Sequence, residues 1–327
     1  MEKNRFTLIM APLQGFTDVT FRNVYARHFQ GLDEAIAPFI STMGNQRLKP
    51  ARIRDVDPGL NQILFTLPQI LGNVAEDFIF LAQHLHAMGH DRINWNLGCP
   101  HSKIAKKKRG SGLLLYPGEI HRLLSRIIPA IPASLSVKIR LGRRSKDEIH
   151  NLIEMFNHHD LEEIILHPRT GVQMYQGRSD HDAFERAMEK SVHGFTYNGD
   201  ITDKKSFLRV ANRFPRVKRF MIGRGILANP FLPEEIRGLC PAGHDRPARV
   251  KAFHDDLFQG YEKIFSGPGH LTGRMKGFWT YLGPSFSNSK KPLKKILKST
   301  SVKAYIDRVE AFFDDCQDFN PKSLPPV

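Results

Sequence analysis

One cysteine stands where the chain offers chemistry. Residues 94–100 read NWNLGCP, so an apolar stretch ends at a glycine and Cys99 precedes a proline. Either Cys99 packs as a small hydrophobic residue, or it is an acid or nucleophile held at the end of a strand. The chain has three cysteines, Cys99, Cys240 and Cys316, and no Cys-x-x-Cys pair. This argues against a disulfide framework and a zinc site, and we expect no bound metal.

Other polar residues end further apolar runs of the sequence. Each of them alone would fit a structural role, but polar groups inside apolar runs are costly unless they are satisfied. Together they predict one polar site where several strands end. The residues are Gln69, Asn96, Cys99, Lys138, Arg140, His167, Arg169, Asn198, Asp200, Gly223, Arg224 and Gly225.

Two of these stretches suggest an anion. In SVKIR (136–140), alternation points Lys138 and Arg140 to the same side of a strand. A buried lysine needs an anionic partner, which an internal salt bridge, a phosphate or an anionic cofactor would supply. In IGRG (222–225), backbone N–H groups and Arg224 suit a phosphate, although a plain tight turn has the same sequence pattern.

The elements that must position these residues alternate along the chain. Helix-like segments at 17–29, 74–90, 117–128 and 146–159 separate apolar runs typical of buried parallel strands. This pattern predicts an α/β fold, a (β/α)₈ TIM barrel, whose strand ends carry the site. A doubly wound open sheet is the alternative, and it lacks a Gly-x-Gly-x-x-Gly after an early strand. The runs are 6–13, 34–40, 62–71, 92–98, 134–141, 162–169, 194–201 and 219–227.

The pattern changes after Leu239. Residues 248–265 and 301–315 have apolar side chains at helical spacing, and no strand pattern follows. We therefore predict a catalytic barrel over residues 1–240 and a smaller all-helical domain over residues 241–327.

The charge of the chain points to its partner. With 48 basic and 33 acidic residues the net charge is +15, which indicates a polyanion, nucleic acid before a membrane surface. A merely basic protein is the simpler alternative. Lysine clusters lie at 103–109 and 290–298. Each cluster is either a solvated charged face or a contact surface for nucleic-acid phosphates. The sequence shows no signal peptide or membrane span, so we expect a cytoplasmic monomer without membrane contact.

Seven motifs follow one another along the first 231 residues: APLQGFTD (11–18), NWNLGCP (94–100) with Lys103, GSGLL (110–114), SVKIRLG (136–142), HPRTGVQMYQG (167–177), NGDI (198–201) and IGRGILANPF (222–231). In this order they resemble the motifs of the tRNA-dihydrouridine synthases. The resemblance implies an FMN-containing barrel that reduces the C5–C6 double bond of selected uridines in tRNA, with NADPH as reductant. It also implies that hydride reaches C6 from the flavin and that Cys99 donates the proton to C5 of a flipped-out base. The helical region likewise resembles the family's RNA-binding domain.

The resemblance assigns roles by matching positions. It implies that Pro12 and Leu13 line the flavin ring and that Gln69 bonds its pyrimidine edge. It places Lys138 near N1 and O2 of the ring, and His167 near the ring or the phosphate. The expected phosphate ligands are Asn198, Asp200, Gly223 and Arg224. The candidate substrate contacts are Asn96, Arg169 and Tyr175, together with Lys103, Lys107, Lys108 and Arg109 of the basic cluster.

Departures from the family pattern leave alternatives open. The chain reads APLQGFTD where the family commonly has APM and GVTD, and RSDHD (178–182) follows the Tyr-x-Gly. The target uridine therefore stays open, as does the choice between tRNA and ribosomal RNA. A small-molecule reductase of the dihydroorotate dehydrogenase type and a non-catalytic RNA-binding barrel are two further alternatives. The protonation state of Cys99 is also open, because basic neighbours favour a thiolate whereas proton donation needs a thiol.

Overall fold

A single parallel sheet forms the core of the molecule. The computed structural model describes residues 6–48, 50–239, 246–316 and 318–321. Within these ranges the sheet has ten strands, and every neighbouring pair is parallel. The strands are β1 (Thr7–Met10), β2 (Glu34–Ile36), β3 (Ile40–Ser41), β4 (Phe65–Leu67), β5 (Gln69–Leu71), β6 (Arg92–Leu97), β7 (Ser134–Gly142), β8 (Ile164–Thr170), β9 (Phe195–Asn198) and β10 (Arg219–Ile222).

The sheet curls into a barrel. Its order is β3-β5-β6-β7-β8-β9-β10-β1-β2-β4, so β4 and β5 lie toward opposite ends. In the chain these two strands form one run that is interrupted only at Pro68, which has no N–H to donate to a neighbouring strand. Residues 65–71 therefore join the two ends through β2 on one side and β6 on the other. The TIM-barrel prediction is confirmed.

Helices follow the strands, as the alternation predicts. The first begins where Asp18 accepts a hydrogen bond from the Phe21 N–H (3.1 Å), and it buries Phe21, Val24 and Tyr25. The helices are α1 (Val19–His28), α2 (Pro50–Ile53), α3 (Ala75–Ala87), α4 (Ser102–Ala105), α5 (Pro117–Ile127), α6 (Glu148–Phe156), α7 (His181–Lys190), α8 (Lys204–Arg213), α9 (Arg224–Ala228), α10 (Leu232–Arg237), α11 (Arg246–Glu262), α12 (Pro268–Leu282), α13 (Lys290–Leu297) and α14 (Val302–Asp315).

The interior of the barrel has an apolar and a polar part. Side chains alternate along each strand, so every second residue faces inward. One part packs as a small apolar cluster, whereas β5, β6 and β7 carry three amides, one hydroxyl and one ammonium. The apolar residues are Ile9, Ala11, Ile36, Leu67, Ile165 and Met221, and the polar ones are Gln69, Asn94, Asn96, Ser136 and Lys138.

Helices α11 to α14 follow the barrel, and no strand follows β10 in the part of the chain that the structure describes. They dock on the barrel through α1, where the Tyr261 hydroxyl donates to Asp18 (2.8 Å). The predicted boundary and Cys240 lie outside the described residues, so the division into two domains stays a prediction. Among the described helices, none is both long and apolar enough to cross a membrane.

Candidate active site

A cleft of about 320 Å³ opens at the carboxyl ends of the barrel strands. The polar strand-end residues and the β1–α1 loop converge on it, as the barrel geometry requires. Twelve predicted site residues line its wall: Pro12, Leu13, Asn96, Cys99, Lys138, His167, Arg169, Tyr175, Asn198, Asp200, Gly223 and Arg224.

Cys99 lies on a turn that is held from two sides. On one side the Asn96 Oδ1 accepts the backbone N–H groups of Gly98 (3.1 Å) and Cys99 (2.9 Å). On the other side the Cys99 carbonyl accepts the N–H (3.0 Å) and the hydroxyl (2.9 Å) of Ser111. Gly110 has φ +54°, and a Cβ there would stand 2.8 Å from the Cys99 oxygen. The GSG motif therefore lets the following segment pack directly on the Cys99 turn.

The structure answers the question of thiol or thiolate. Burial raises the pKa of the Cys99 thiol above its ordinary value of 9.0. A backbone hydrogen bond from His101 pulls that pKa down, as do the positive charges of Arg140, Lys138 and Arg143, but burial outweighs them. Cys99 is therefore a protonated thiol at neutral pH, which suits a proton donor better than a nucleophile.

Lys138 lies half-buried at the cleft wall, without an acidic partner among the described residues. Its Nζ donates to the Asn198 Oδ1 (2.7 Å), whose Nδ2 donates to the Met221 carbonyl (2.9 Å). Burial, together with the positive charge of the nearby Arg140, lowers the pKa of Lys138 to about 7. The sequence allowed an internal salt bridge for Lys138, but its partner in the structure is the neutral amide of Asn198. The ammonium is therefore available to an anion in the cleft.

His167 and Arg169 form a fixed pair. The Arg169 Nη1 lies 3.0 Å from the His167 Nε2. A guanidinium only donates, so Nε2 accepts and Nδ1 carries the ring proton. Burial, reinforced by the surrounding cations, holds the pKa of His167 well below its ordinary value, so the ring is neutral. Arg169 also donates to both carboxylate oxygens of Asp200 (2.8 Å each) and to the Gly177 carbonyl (2.7 Å). Its donors are largely committed to the protein, so it braces the loop after β8.

Arg224 has a different environment from Arg169. Its guanidinium lies 4.5 Å from the centre of the Tyr175 ring, and it donates no hydrogen bond to any residue that the structure describes. Asp200 is the one acidic residue among the described cleft residues, and Arg169 already pairs with it. The cleft therefore carries an excess of positive charge that favours an anionic ligand.

Five predicted site residues lie off the cleft. Gln69 is completely buried, and its amide bonds Asn94 and Asn96 (2.7 Å each). Lys108 pairs with Glu119 (3.1 Å), and Arg109 donates to Asn73 (2.9 Å). The remaining two, Lys103 and Lys107, are exposed on and just after α4.

Sequence reasoning missed two contributions. Arg140, a strand-end residue without an assigned role, donates to the carbonyls of Gly98 (3.1 Å) and Met174 (2.6 Å), and so ties the Cys99 turn to the β8 loop. Tyr281 of α12 also lines the cleft, with its ring 5.4 Å from that of Phe16. No local motif marks Tyr281, because its place depends on how the C-terminal helices dock.

A parallel barrel with a cation-rich cleft and a protonated thiol at the strand ends has the architecture of a barrel enzyme with an anionic ligand. The family model described as dihydrouridine synthase matches residues 9–312. tRNA-dihydrouridine synthase B of Serratia marcescens is 30% identical over 280 residues, covering 83% of this chain and 79% of that protein. The Escherichia coli protein of the same name is 28% identical over 271 residues, covering 77% and 81%. The chain therefore belongs to the dihydrouridine synthase family, and the resemblance is confirmed.

Solved structures agree on the fold. The old yellow enzyme of Trypanosoma cruzi superposes with a TM-score of 0.51 at 13% identity, over 79% of this chain and 94% of that one. Its homologue from Zymomonas mobilis gives 0.52 at 13% identity, over 75% and 94%. At this identity the likeness shows a shared barrel. Family membership makes the chain a flavin-dependent oxidoreductase that uses NAD(P)H.

Proposed function

We propose that the chain reduces the C5–C6 double bond of specific uridines in tRNA to dihydrouridine, with FMN as its flavin and NADPH as its reductant. One observation carries the proposal: Cys99, whose pKa burial raises, lines the same cleft as Lys138 and Arg224, which have no acidic partner among the described residues. The names of the relatives and the net charge of +15 support tRNA as the partner. We place the activity in the cytoplasm and expect a monomer.

The residues of the cleft fit a flavin mononucleotide. Pro12 and Leu13 give an apolar wall for the ring, and the half-buried Lys138 offers charge to its polar edge. The neutral His167 offers its Nδ1 proton to the ring or the phosphate. The uncommitted guanidinium of Arg224, beside Gly223, suits a phosphate.

Two expected phosphate ligands need a refined role. Asp200 is paired with Arg169, and a carboxylate would repel a phosphate. Its backbone has φ +46°, and its carboxylate accepts the Ser179 N–H (2.9 Å), so we propose that it shapes the phosphate loop instead. The side-chain oxygen of Asn198 accepts a hydrogen bond from Lys138, and we propose that Asn198 holds this ammonium in place for the cofactor.

A flavin held by these residues would supply the hydride that the reduction of uracil requires. Cys99 holds its proton on Sγ and donates it to C5 from a turn that Asn96 and Ser111 fix in place. Arg140 and Lys138 stabilise the thiolate that this donation leaves. Because its pKa is raised above 9.0, the thiolate then regains a proton from solvent at neutral pH.

RNA reaches the cleft across basic segments. We propose that Lys103 and Lys107, both exposed, contact phosphates near the mouth. Lys108 and Arg109 have the weaker claim, because Glu119 and Asn73 already engage them. The exposed lysines of α13 and its end form a second patch: Lys290, Lys291, Lys294, Lys295 and Lys298. A base must leave its stack to reach Cys99.

The test uses the purified protein, its bound flavin and unmodified tRNA transcripts. We expect FMN on extraction, NADPH oxidation that is stimulated by tRNA, and dihydrouridine in the product by nucleoside mass spectrometry. Stimulation by ribosomal RNA alone would change the substrate. Turnover of dihydroorotate or orotate without any RNA effect would contradict the proposal in favour of a small-molecule reductase.

A further inference from the structure

A chain of buried hydrogen bonds runs from the Cys99 turn into the barrel. The Asn96 Nδ2 donates to the Gln69 Oε1 (2.7 Å), and the Gln69 Nε2 donates to the Asn94 Oδ1 (2.7 Å). The Asn94 Nδ2 then donates to the Ser136 Oγ (2.8 Å), which donates to the Ile93 carbonyl (3.3 Å). Gln69, Asn94 and Ser136 are completely buried.

The direction of this chain is fixed by backbone groups at both ends. At one end the N–H groups of Gly98 and Cys99 can only donate, so the Asn96 Oδ1 must face them. At the other end the Ile93 carbonyl can only accept. Reversing any single amide between the two ends would set donor against donor or acceptor against acceptor inside the barrel. The chain therefore holds the amide of Asn96 in one orientation.

We propose that Ser136, Asn94 and Gln69 are positioning residues that lock the Asn96 amide, so that its oxygen holds the Cys99 turn and its second N–H serves the cleft. Asn94 and Ser136 do not line the cleft, whereas Asn96 does. Their effect on the reaction therefore passes through Asn96. This inference rests on the proposed function and extends it to Asn94 and Ser136, which do not line the cleft.

The locked orientation has a consequence for base choice. One Nδ2 hydrogen of Asn96 goes to Gln69, and the other is left as a donor at the cleft wall. This N–H can donate to a base edge that presents a carbonyl oxygen, as uracil does. It disfavours an edge that presents an amino group at that point, as cytosine does. The orientation lock thus contributes to the choice of uracil.

The first test is a double-mutant cycle on the holoenzyme. Ser136→Ala removes the acceptor of Asn94 and leaves a buried N–H without a partner. We expect single-turnover uridine reduction to fall on the order of tenfold, the effect of one such group. In an Asn96→Ala background the same substitution should have almost no effect, because Ser136 acts through Asn96. Equal losses in both backgrounds would overturn the proposal, since a merely structural effect is additive.

A second readout does not depend on activity. Loosening the Asn96 amide should expose Cys99, so Ser136→Ala and Asn94→Leu should each raise its alkylation rate by iodoacetamide at pH 8 several-fold. Thr196→Val is the matched control. It removes another buried hydrogen bond, from the Thr196 hydroxyl to Glu163, which is not part of the series that ends at Asn96. Unchanged alkylation in Ser136→Ala, or an equal rise in Thr196→Val, would overturn the proposal.

A conservative substitution separates orientation from packing. In Asn94→Asp the buried carboxyl group, neutral at this site, accepts from Gln69 through its carbonyl oxygen and donates its O–H to Ser136, so the hydrogen bonds keep their direction toward Asn96. We expect this variant to recover most of the reduction rate that Asn94→Leu loses, and equal losses in the two variants would contradict the mechanism. If the wild type itself reduced no uridine, the proposed function would fail, while alkylation would still test the lock.

Discussion

The replacement of Cys99 by alanine tests the proton-donor role. The thiol is fully protonated at neutral pH, because burial raises its pKa above 9.0, so the substitution removes the whole contribution of a general acid. Such contributions are about 10²–10⁴-fold. We expect a loss of about a thousandfold in uridine reduction, with flavin binding and reduction by NADPH unchanged. Rapid-mixing absorbance of the reduced enzyme against tRNA separates the two half-reactions.

The control for this substitution is Cys316→Ala, which removes the other described free cysteine, buried after α14. It should leave both half-reactions at wild-type rates. The wild-type rate of uridine reduction should also decline as pH rises through the Cys99 pKa, above 9.0, because the donor form is lost there. Wild-type reduction by Cys99→Ala, or a pH profile that the variant shares, would refute the reasoning.

Three further predictions concern the cleft and its surroundings. Flavin rebinding to the flavin-free protein, followed by fluorescence quenching, should weaken as pH rises through about 7, where Lys138 loses its proton, and Lys138→Arg should remove this dependence. Gly110→Ala should speed alkylation of Cys99 and slow uridine reduction, because its Cβ would stand 2.8 Å from the Cys99 oxygen at a φ of +54°. Lys107→Ala with Lys108→Ala should weaken tRNA binding and reduce the slope of log affinity against log salt by about 1–2.

Each of these predictions has a contrasting result. An unchanged pH dependence in Lys138→Arg would assign it to another group. Gly118→Ala, where no atom lies within 4 Å of the added Cβ, is the control for Gly110→Ala, and equal effects of both would contradict the turn argument. Arg216→Ala with Lys218→Ala, just before β10 at the opposite end of the barrel, should leave tRNA affinity nearly intact. A similar loss of tRNA affinity in this control would mean that Lys107 and Lys108 contribute only general surface charge.

The barrel could be predicted from the sequence because each of its strands and helices has a local sequence pattern. Apolar runs that alternate with amphipathic helices report strands buried on both faces, and parallel strands bring their ends together wherever the runs occur. This predicts that Cys99, Lys138 and Asn198 meet, although they are distant in the sequence. The sequence did not predict that Pro68 interrupts the segment that closes the barrel, because this role depends on which strands lie beside residues 65–71.

The hydrogen-bond partners could not be predicted. The sequence gives no reason to pair Arg169 with Asp200, or to join Gln69 to Asn94, since these contacts depend on the register between strands. The protonation of Cys99 likewise depends on the balance between its burial and nearby cations, which only the structure supplies. The residue types therefore predicted which side chains form the site, but not the hydrogen bonds or the protonation state of each one.

Mapping dihydrouridine in RNA from a strain that lacks this gene tests the central claim most directly. Nucleoside mass spectrometry of position-specific fragments would compare tRNA and ribosomal RNA from the deletion strain, the parent and a strain complemented with Cys99→Ala. The account predicts that dihydrouridine disappears at defined tRNA positions and returns only with the wild-type gene. Intact tRNA dihydrouridine in the deletion strain, with no other member of the family present, would contradict it.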